Sequence, residues 1–252
     1  MPQSNKTLFG LIGKSLQHSF SKNYFEEKFL KENLTGYTYS NFEIPFIDGL
    51  RSVLTSNPEL RGVNVTIPYK ESVIPFLDSL EGDARLIGAV NCILIENGKL
   101  IGHNTDAYGF AQSIKPFLDN THERALVLGT GGASKAVAYA LKKIGLEVYF
   151  VSHSPKKNEQ TLSYPEINDR VMQGFKLIIN TTPLGMTPNE NDYPNLPYHL
   201  FTPQHLAYDL IYNPSETVFL KKAKEQGALT INGLSMLRLQ AEKNWEIWNR
   251  KF

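Results

Sequence analysis

The alternation of apolar and polar positions divides the chain into short strands separated by helical stretches. "TLFGLIG" (7–13) is almost continuously apolar, as a buried opening strand would be. From Phe20, an apolar stripe of Tyr24, Phe25, Phe29 and Leu30 at helical spacing predicts an amphipathic helix to about Lys31. "YTYSNFEI" alternates as a strand, "FIDGLRSVL" reads as a helix and "GVNVTI" as a third strand. Pro68 stops that strand, and a helix is expected to begin at Lys70, where the helix dipole would lower the lysine pKa. Strand and helix in alternation predict a parallel sheet in the first hundred residues. "AVNCILIENGKLIGHNTD" then shows two apolar runs around Asn97-Gly98, a strong hairpin signal.

A second alternation begins at Arg124. "ALVLG" is a short buried strand, "GASKAVAYALKKIG" a helix ended by Gly145, and "EVYFVS" and "KLIINT" are further strands. "HLAYDLI", a helix through "SETVFLKKAKEQG", "LTING" and a last helix from Leu234 complete the chain. No repeat, low-complexity tract or long linker interrupts this order. The economical reading is an α/β protein of two units joined near residues 105–110.

Composition narrows the function classes. At 252 residues, with 41% hydrophobic and 20% charged content, the chain has the make-up of an ordinary globular protein. Its 26 basic residues balance 25 acidic ones, so no global field would hold nucleic acid or an anionic membrane. The single Cys92 excludes an intrachain disulfide and suits a reducing compartment. "MPQSNKTLFG" has no apolar leader core and no apolar run reaches the length of a membrane span, so a soluble cytoplasmic protein is expected. No sustained heptad or apolar stripe decides between a monomer and a homodimer.

The candidate chemistry starts with glycines. "LVLGTGGASKAVAYAL" places Gly129, Gly131 and Gly132 between a buried strand and a helix, with Ser134 in the third position of a dinucleotide turn. A merely tight strand-to-helix turn is the bland alternative. An NAD site usually carries an acidic residue about 20 positions on. Here the next strand ends in Ser152, His153 and Ser154, with Lys156 and Lys157 beyond, and its only carboxylate, Glu147, stands at its start. Hydroxyls and cations suit a 2′-phosphate, which favours NADP; a solvated lysine pair at a helix start is the alternative.

An alcohol-oxidising nicotinamide enzyme also needs a proton acceptor. Six histidines and one cysteine show no zinc spacing, so no metal is expected and a side chain must serve. Lys70, at the end of a sheet strand, is one candidate, though a surface lysine would occupy the same position. Asp106 either stabilises the first turn of a helix capped by Thr105 or supports a base from the first unit; spacing does not choose. Ser19, Ser21, Asn64, Thr66 and Asn91 add hydroxyls and amides without a basic cluster, as a hydroxylated ligand of low charge would require. Ser19 equally fits a helix N-cap.

Taken in order, "HSFS", "NVTIPYK", "GAVN", "GHNTDAYG", "GTGGAS", "INTTPLGM", "YDLIYNP" and "GLSMLRLQA" resemble the shikimate dehydrogenases over nearly the whole chain. The resemblance implies reversible, NADP-dependent oxidation of shikimate to 3-dehydroshikimate in aromatic amino-acid biosynthesis. It implies an N-terminal α/β substrate domain over 1–105, a Rossmann-type NADP domain over 106–233, and a C-terminal helix, 234–252, returning to the substrate domain. Lys70 matches the family's catalytic lysine and Asp106 its partner. Ser19, Ser21, Asn64, Thr66, Asn91, Tyr212 and Gln240 match residues that hold the substrate's hydroxyls and carboxylate. Gly129, Gly131, Gly132, Ala133 and Ser134 match the pyrophosphate loop, while Leu210, Gly233 and Met236 match positions around the nicotinamide. Ser152, His153, Ser154 and Lys157 fall where the family contacts the 2′-phosphate, with Ser152 and His153 replacing its usual asparagine and arginine. Further departures are Ser15, Lys22, Phe25 and Glu26 near the serines and Arg238 in the last motif. A quinate or broader cyclitol dehydrogenase, or a protein that senses NADP and a polyol without turnover, would share most of these features.

Overall fold

A computed structural model describes residues 7–16, 19–155 and 160–250. The chain divides into two compact units: Met1–Thr105 with Ala241–Phe252, and Asp106–Gln240.

The first unit contains strands β1 (Thr7–Gly13), β2 (Tyr37–Glu43), β3 (Leu60–Val65), β4 (Ser79–Leu80), β5 (Cys92–Glu96) and β6 (Lys99–His103). Its helices are α1 (Phe20–Lys31), α2 (Leu50–Ser56) and α3 (Ala84–Ile87). The sheet order is β2-β1-β3-β5-β6-β4. Only part of it is parallel: β2, β1 and β3 run together, whereas β5 opposes β3 and β6 opposes β5. The reversal between β5 and β6 lies at Asn97 and Gly98, whose φ angles of 51° and 75° suit the tight hairpin turn that Asn-Gly favours.

Helix α1 covers one sheet face through Phe25 and Phe29, buried with Phe9, Tyr39 and Trp248. Leu30 does not join them: it is 80% exposed, because one further residue turns the side chain about 100° away from that stripe. The opposite face is packed by Ile12, Leu50, Val63, Val73 and Ile93. No α-helix begins at Lys70. Successive turns follow β3 instead, with the Tyr69 amide donating to the Thr66 carbonyl at 2.9 Å and the Val73 amide to the Tyr69 carbonyl at 3.0 Å. A short 3-10 turn, Ile74–Phe76, comes next. Pro75 supplies no amide hydrogen for the Glu71 carbonyl, which accepts instead from the Ile74 amide at 3.2 Å in the tighter 3-10 pattern, so the α-helical ladder is broken there. The dipole expected behind Lys70 is absent.

The second unit contains β7 (Arg124–Leu128), β8 (Glu147–Val151), β9 (Thr161–Leu162), β10 (Leu177–Asn180), β11 (Leu206–Asp209) and β12 (Leu229–Ile231). Helices α4 (Asp106–Ile114), α5 (Gly132–Lys143), α6 (Asp169–Gly174) and α7 (Val218–Lys224) accompany them. All neighbouring strands are parallel, in the order β12-β11-β10-β7-β8-β9. Counted from β7, this is the doubly wound order 3-2-1-4-5-6, with its switch point between β7 and β10. The loops after those two strands are therefore where a dinucleotide binds in such sheets.

The last helix, α8 (Leu234–Trp248), crosses the boundary: residues to Gln240 cluster with the second unit and those from Ala241 with the first. In the first unit, Trp248 stacks on Phe9 with centroids 4.8 Å apart and its indole N–H donates to the Ile93 carbonyl at 3.0 Å. Among the described residues, no helix is long and apolar enough to cross a membrane.

Candidate active site

The first unit gathers several of the expected side chains into one buried polar network. Asn64, on β3, is 5% exposed and accepts at Oδ1 from the Tyr39 phenol at 2.8 Å. Its Nδ2 donates to the Asn91 carbonyl at 3.2 Å. Burial pushes the Tyr39 pKa well up, against a smaller opposing influence of Ser21 in the first turn of α1, so the phenol keeps its proton. Asn91 is held as firmly: its Oδ1 accepts from the Thr105 amide at 2.7 Å, and its Nδ2 donates to the Thr105 hydroxyl at 2.9 Å. That hydroxyl donates in turn to Asn244 Oδ1 at 2.6 Å. Every buried amide here has partners that fix its orientation, as burial of polar groups demands.

Of the other first-unit candidates, Lys70 adjoins this network through the backbone. Lys70 is half-buried, and its carbonyl accepts from the Val90 amide at 2.7 Å, next to Asn91. Thr66 stands just beyond β3, its amide donating to the Ile12 carbonyl at 2.9 Å. Ser19 caps α1, accepting from the Lys22 amide at 3.3 Å. The structural role expected for Ser19 is therefore filled, independently of any ligand.

In the second unit the glycine turn follows β7. Gly129 has φ 105°, a region L side chains rarely adopt, and its amide donates to the Val151 carbonyl at 2.9 Å. Gly131 precedes α5, and Ser134 is buried with its hydroxyl donating to the Gly131 carbonyl at 2.5 Å. Ser134 thus fits the helix against the strand where the usual motif has glycine. Gly132 and Ala133 occupy the first turn of α5, whose N-terminal amides suit an anionic pyrophosphate. A Cβ on Gly131 would meet nothing within 4 Å, which leaves the turn open for close approach of a ligand.

The end of β8 carries the residues expected around a 2′-phosphate. Ser152 Oγ accepts from the Ser154 amide at 3.1 Å. The exposed His153 ring packs on Tyr164 with centroids 4.6 Å apart. Lys156 and Lys157 lie outside the described residues. Leu210 and Gly233 are in direct backbone contact, since a Cβ on Gly233 would overlap the Leu210 carbonyl. Met236 follows one turn later and is buried. Asp106 is buried in the first turn of α4, and Gly109 one turn on lies against the Met236 carbonyl and Gln240. Gln240 is buried and donates to the Leu237 carbonyl at 2.9 Å, while Tyr212 is half-exposed beyond β11.

A second buried network, not foreseen from the sequence, ties the loops of this sheet together. Asp209, wholly buried at the end of β11, accepts from Asn180 Nδ2 at 3.1 Å, the Ile211 amide at 3.0 Å and the Thr217 hydroxyl at 2.6 Å. Burial pushes its pKa up to about 6 against these stabilising bonds. Asn180 Oδ1 accepts from the Thr182 amide and hydroxyl at 3.0 and 2.6 Å. The Thr181 hydroxyl donates to the Leu128 carbonyl at 2.6 Å, immediately before the glycine turn. Tyr39 and Asn244 also escaped the sequence reading. Asn244 had one available signal: it shares a helix face with Ala241 and Trp248, both buried, so a polar residue there had to have partners.

Comparison with known proteins places these features in a family. Residues 11–93 match the model of the shikimate dehydrogenase substrate binding domain. The shikimate dehydrogenase (NADP(+)) of Carboxydothermus hydrogenoformans is 41% identical over 260 residues, spanning 96% of this chain and 91% of that protein. A crystal structure of a shikimate dehydrogenase in complex with NADP+ superposes with a TM-score of 0.87 at 33% identity, covering 99% of this chain and 92% of the other. The shikimate 5-dehydrogenase of Thermus thermophilus, solved with NADP(H) and shikimate, gives 0.85 at 32% identity, with 96% and 93% covered. Similarity of this extent, joined to the doubly wound sheet and its glycine turn, makes the chain a member of the shikimate dehydrogenase family.

Proposed function

We propose that the chain catalyses the reversible, NADP-dependent oxidation of shikimate to 3-dehydroshikimate, with Lys70 as general acid/base and Asp106 as its partner, within aromatic amino-acid biosynthesis. The observation that carries this reading is the nearly full-length likeness to shikimate dehydrogenase (NADP(+)), with lysine and aspartate standing at the family's motif positions. Residues 1–105 with the C-terminal helix form the substrate domain on this reading, and 106–233 the NADP domain. When bound, NADP+ accepts the hydride. The glycine turn Gly129–Ser134 receives its pyrophosphate, Ser152, His153, Ser154 and Lys157 receive its 2′-phosphate, and Leu210, Gly233 and Met236 flank its nicotinamide. The open space at Gly131 and the left-handed angle at Gly129 fit that assignment.

The remaining work belongs to side chains of this protein. Lys70 takes the proton of the reacting hydroxyl and returns it in the reverse direction. Asp106 orients the ammonium and keeps negative charge beside it. Ser19, Ser21, Asn64, Thr66, Asn91, Tyr212 and Gln240 hold the hydroxyls and carboxylate of shikimate. Oriented amides cost no reorganisation when substrate arrives, which is why the buried network behind Asn64 and Asn91 supports a binding role. Initial rates with shikimate and quinate, each with NADP+ and NAD+, test the reading. Shikimate with NADP+ is the expected preferred pair; preference for quinate would make the chain a cyclitol dehydrogenase, and no turnover of either would make it a sensor.

A further inference from the structure

Tyr39 has no place in the functional assignment above, yet its hydroxyl is bonded to one of the proposed substrate-binding residues. Its ring is 3% exposed on β2 and stacks on Phe25 with centroids 4.9 Å apart and planes 11° from parallel. An aromatic ring so enclosed has little freedom to move its hydroxyl. The phenol donates to Asn64 Oδ1 at 2.8 Å. A carboxamide oxygen can only accept, so the phenol proton goes to Asn64. The direction of both bonds at the amide is thereby set: Tyr39 to Asn64, and Asn64 to the Asn91 carbonyl at 3.2 Å.

We propose that Tyr39 is a positioning residue for Asn64, fixing its amide with the oxygen on the phenol and the nitrogen left to donate. Asn64 has two N–H groups, and the bond to Asn91 uses one. The other offers a donor whose direction is fixed before any ligand arrives. Without the phenol, the Asn64 oxygen loses its partner, and the amide gains the freedom to turn about its last torsion. Tyr39 therefore acts on substrate through Asn64, and the inference rests on the shikimate-binding role proposed for Asn64.

A double-mutant cycle separates positioning from general support of the fold. Tyr39→Phe keeps the ring and removes only the hydroxyl. It should raise KM for shikimate about five- to tenfold, the worth of a lost buried hydrogen bond, while KM for NADP+ stays within about twofold. In an Asn64→Ala background the same change should add nothing further, because the residue it positions is gone. Unchanged KM in Tyr39→Phe, or effects that multiply independently of Asn64→Ala, would overturn the inference. Should Tyr39→Phe not fold, Asn64→Asp carries the test: its carboxylate still accepts from the phenol but has no N–H to offer, so KM for shikimate must rise as in Asn64→Ala, and a wild-type KM would overturn the inference. Wild-type protein that does not turn over shikimate would overturn the functional reading itself and this positioning role with it. Wild-type turnover with an indifferent Tyr39 overturns the positioning role alone.

Discussion

The Asn180 amide donates to the buried Asp209 carboxylate at 3.1 Å, and these two residues are register partners at the ends of β10 and β11. Both loops beyond them carry motif residues, so the pair fixes the spacing of those two segments. Burial raises the Asp209 pKa to about 6 from an ordinary value of 3.8. A carboxyl with a raised folded pKa binds more protons folded than unfolded, so its contribution to stability is greatest below pH ~4 and is lost as pH rises through ~6. The loss amounts to about 3 kcal/mol, two pKa units at roughly 1.4 kcal/mol each. Asp209→Asn removes the titration, and Thr217 can reverse its hydroxyl to accept from the new amide. Urea unfolding of both proteins from pH 4 to 7 should show the variant gaining on wild type by roughly that amount. A pH-independent difference would contradict the raised pKa.

The sequence exposed the repeating local patterns and concealed what distant residues decide. Helix α1 and the Asn97-Gly98 hairpin were legible because periodicity and turn chemistry are local signals. The helix expected after Pro68 failed because Pro75 removes a donor from an apolar pattern too short to extend past it. The mixed sheet was hidden because pairing of β5 with β3 joins residues roughly 30 apart. The two-residue strands β4 and β9 are too short to show any period. Asn64 and Asn91 were readable as polar motif residues, whereas Tyr39 resembled any strand aromatic until its phenol was found against Asn64, 25 positions on. Asp209 lay inside a quoted motif, but only burial distinguishes it from a surface carboxylate.

Two glycines of the proposed cofactor site should respond oppositely to alanine. At Gly131 a methyl meets nothing within 4 Å, and its φ of −81° suits any residue. Gly131→Ala should leave thermal stability unchanged and weaken NADP+ binding at least ~10-fold, because the methyl fills space the pyrophosphate needs. At Gly233 the methyl would overlap the Leu210 carbonyl, so Gly233→Ala should lower stability before any ligand is added. Thermal unfolding with and without NADP+ reads both. An unweakened Gly131→Ala would remove that turn from the site.

His153 stands where the family's arginine is expected, with its ring against Tyr164. One imidazole offers at most two donors, whereas arginine presents a charged fork matched to phosphate. His153→Arg should lower KM for NADP+ about three- to tenfold and leave KM for NAD+ within about twofold. Equal effects on both cofactors would place the residue near the shared pyrophosphate instead of the 2′-phosphate.

The central claim is that Lys70 moves the proton of an alcohol oxidised by NADP+. Initial rates of NADPH formation from shikimate, measured spectrophotometrically for wild type and Lys70→Ala, test it most directly. Wild type should turn over, and Lys70→Ala should lose about 10²–10⁴ in kcat, the usual contribution of a positioned acid/base, with a smaller change in KM. Asp106→Asn should slow the same step with the fold intact. Wild-type kcat in a folded Lys70→Ala protein would contradict the account.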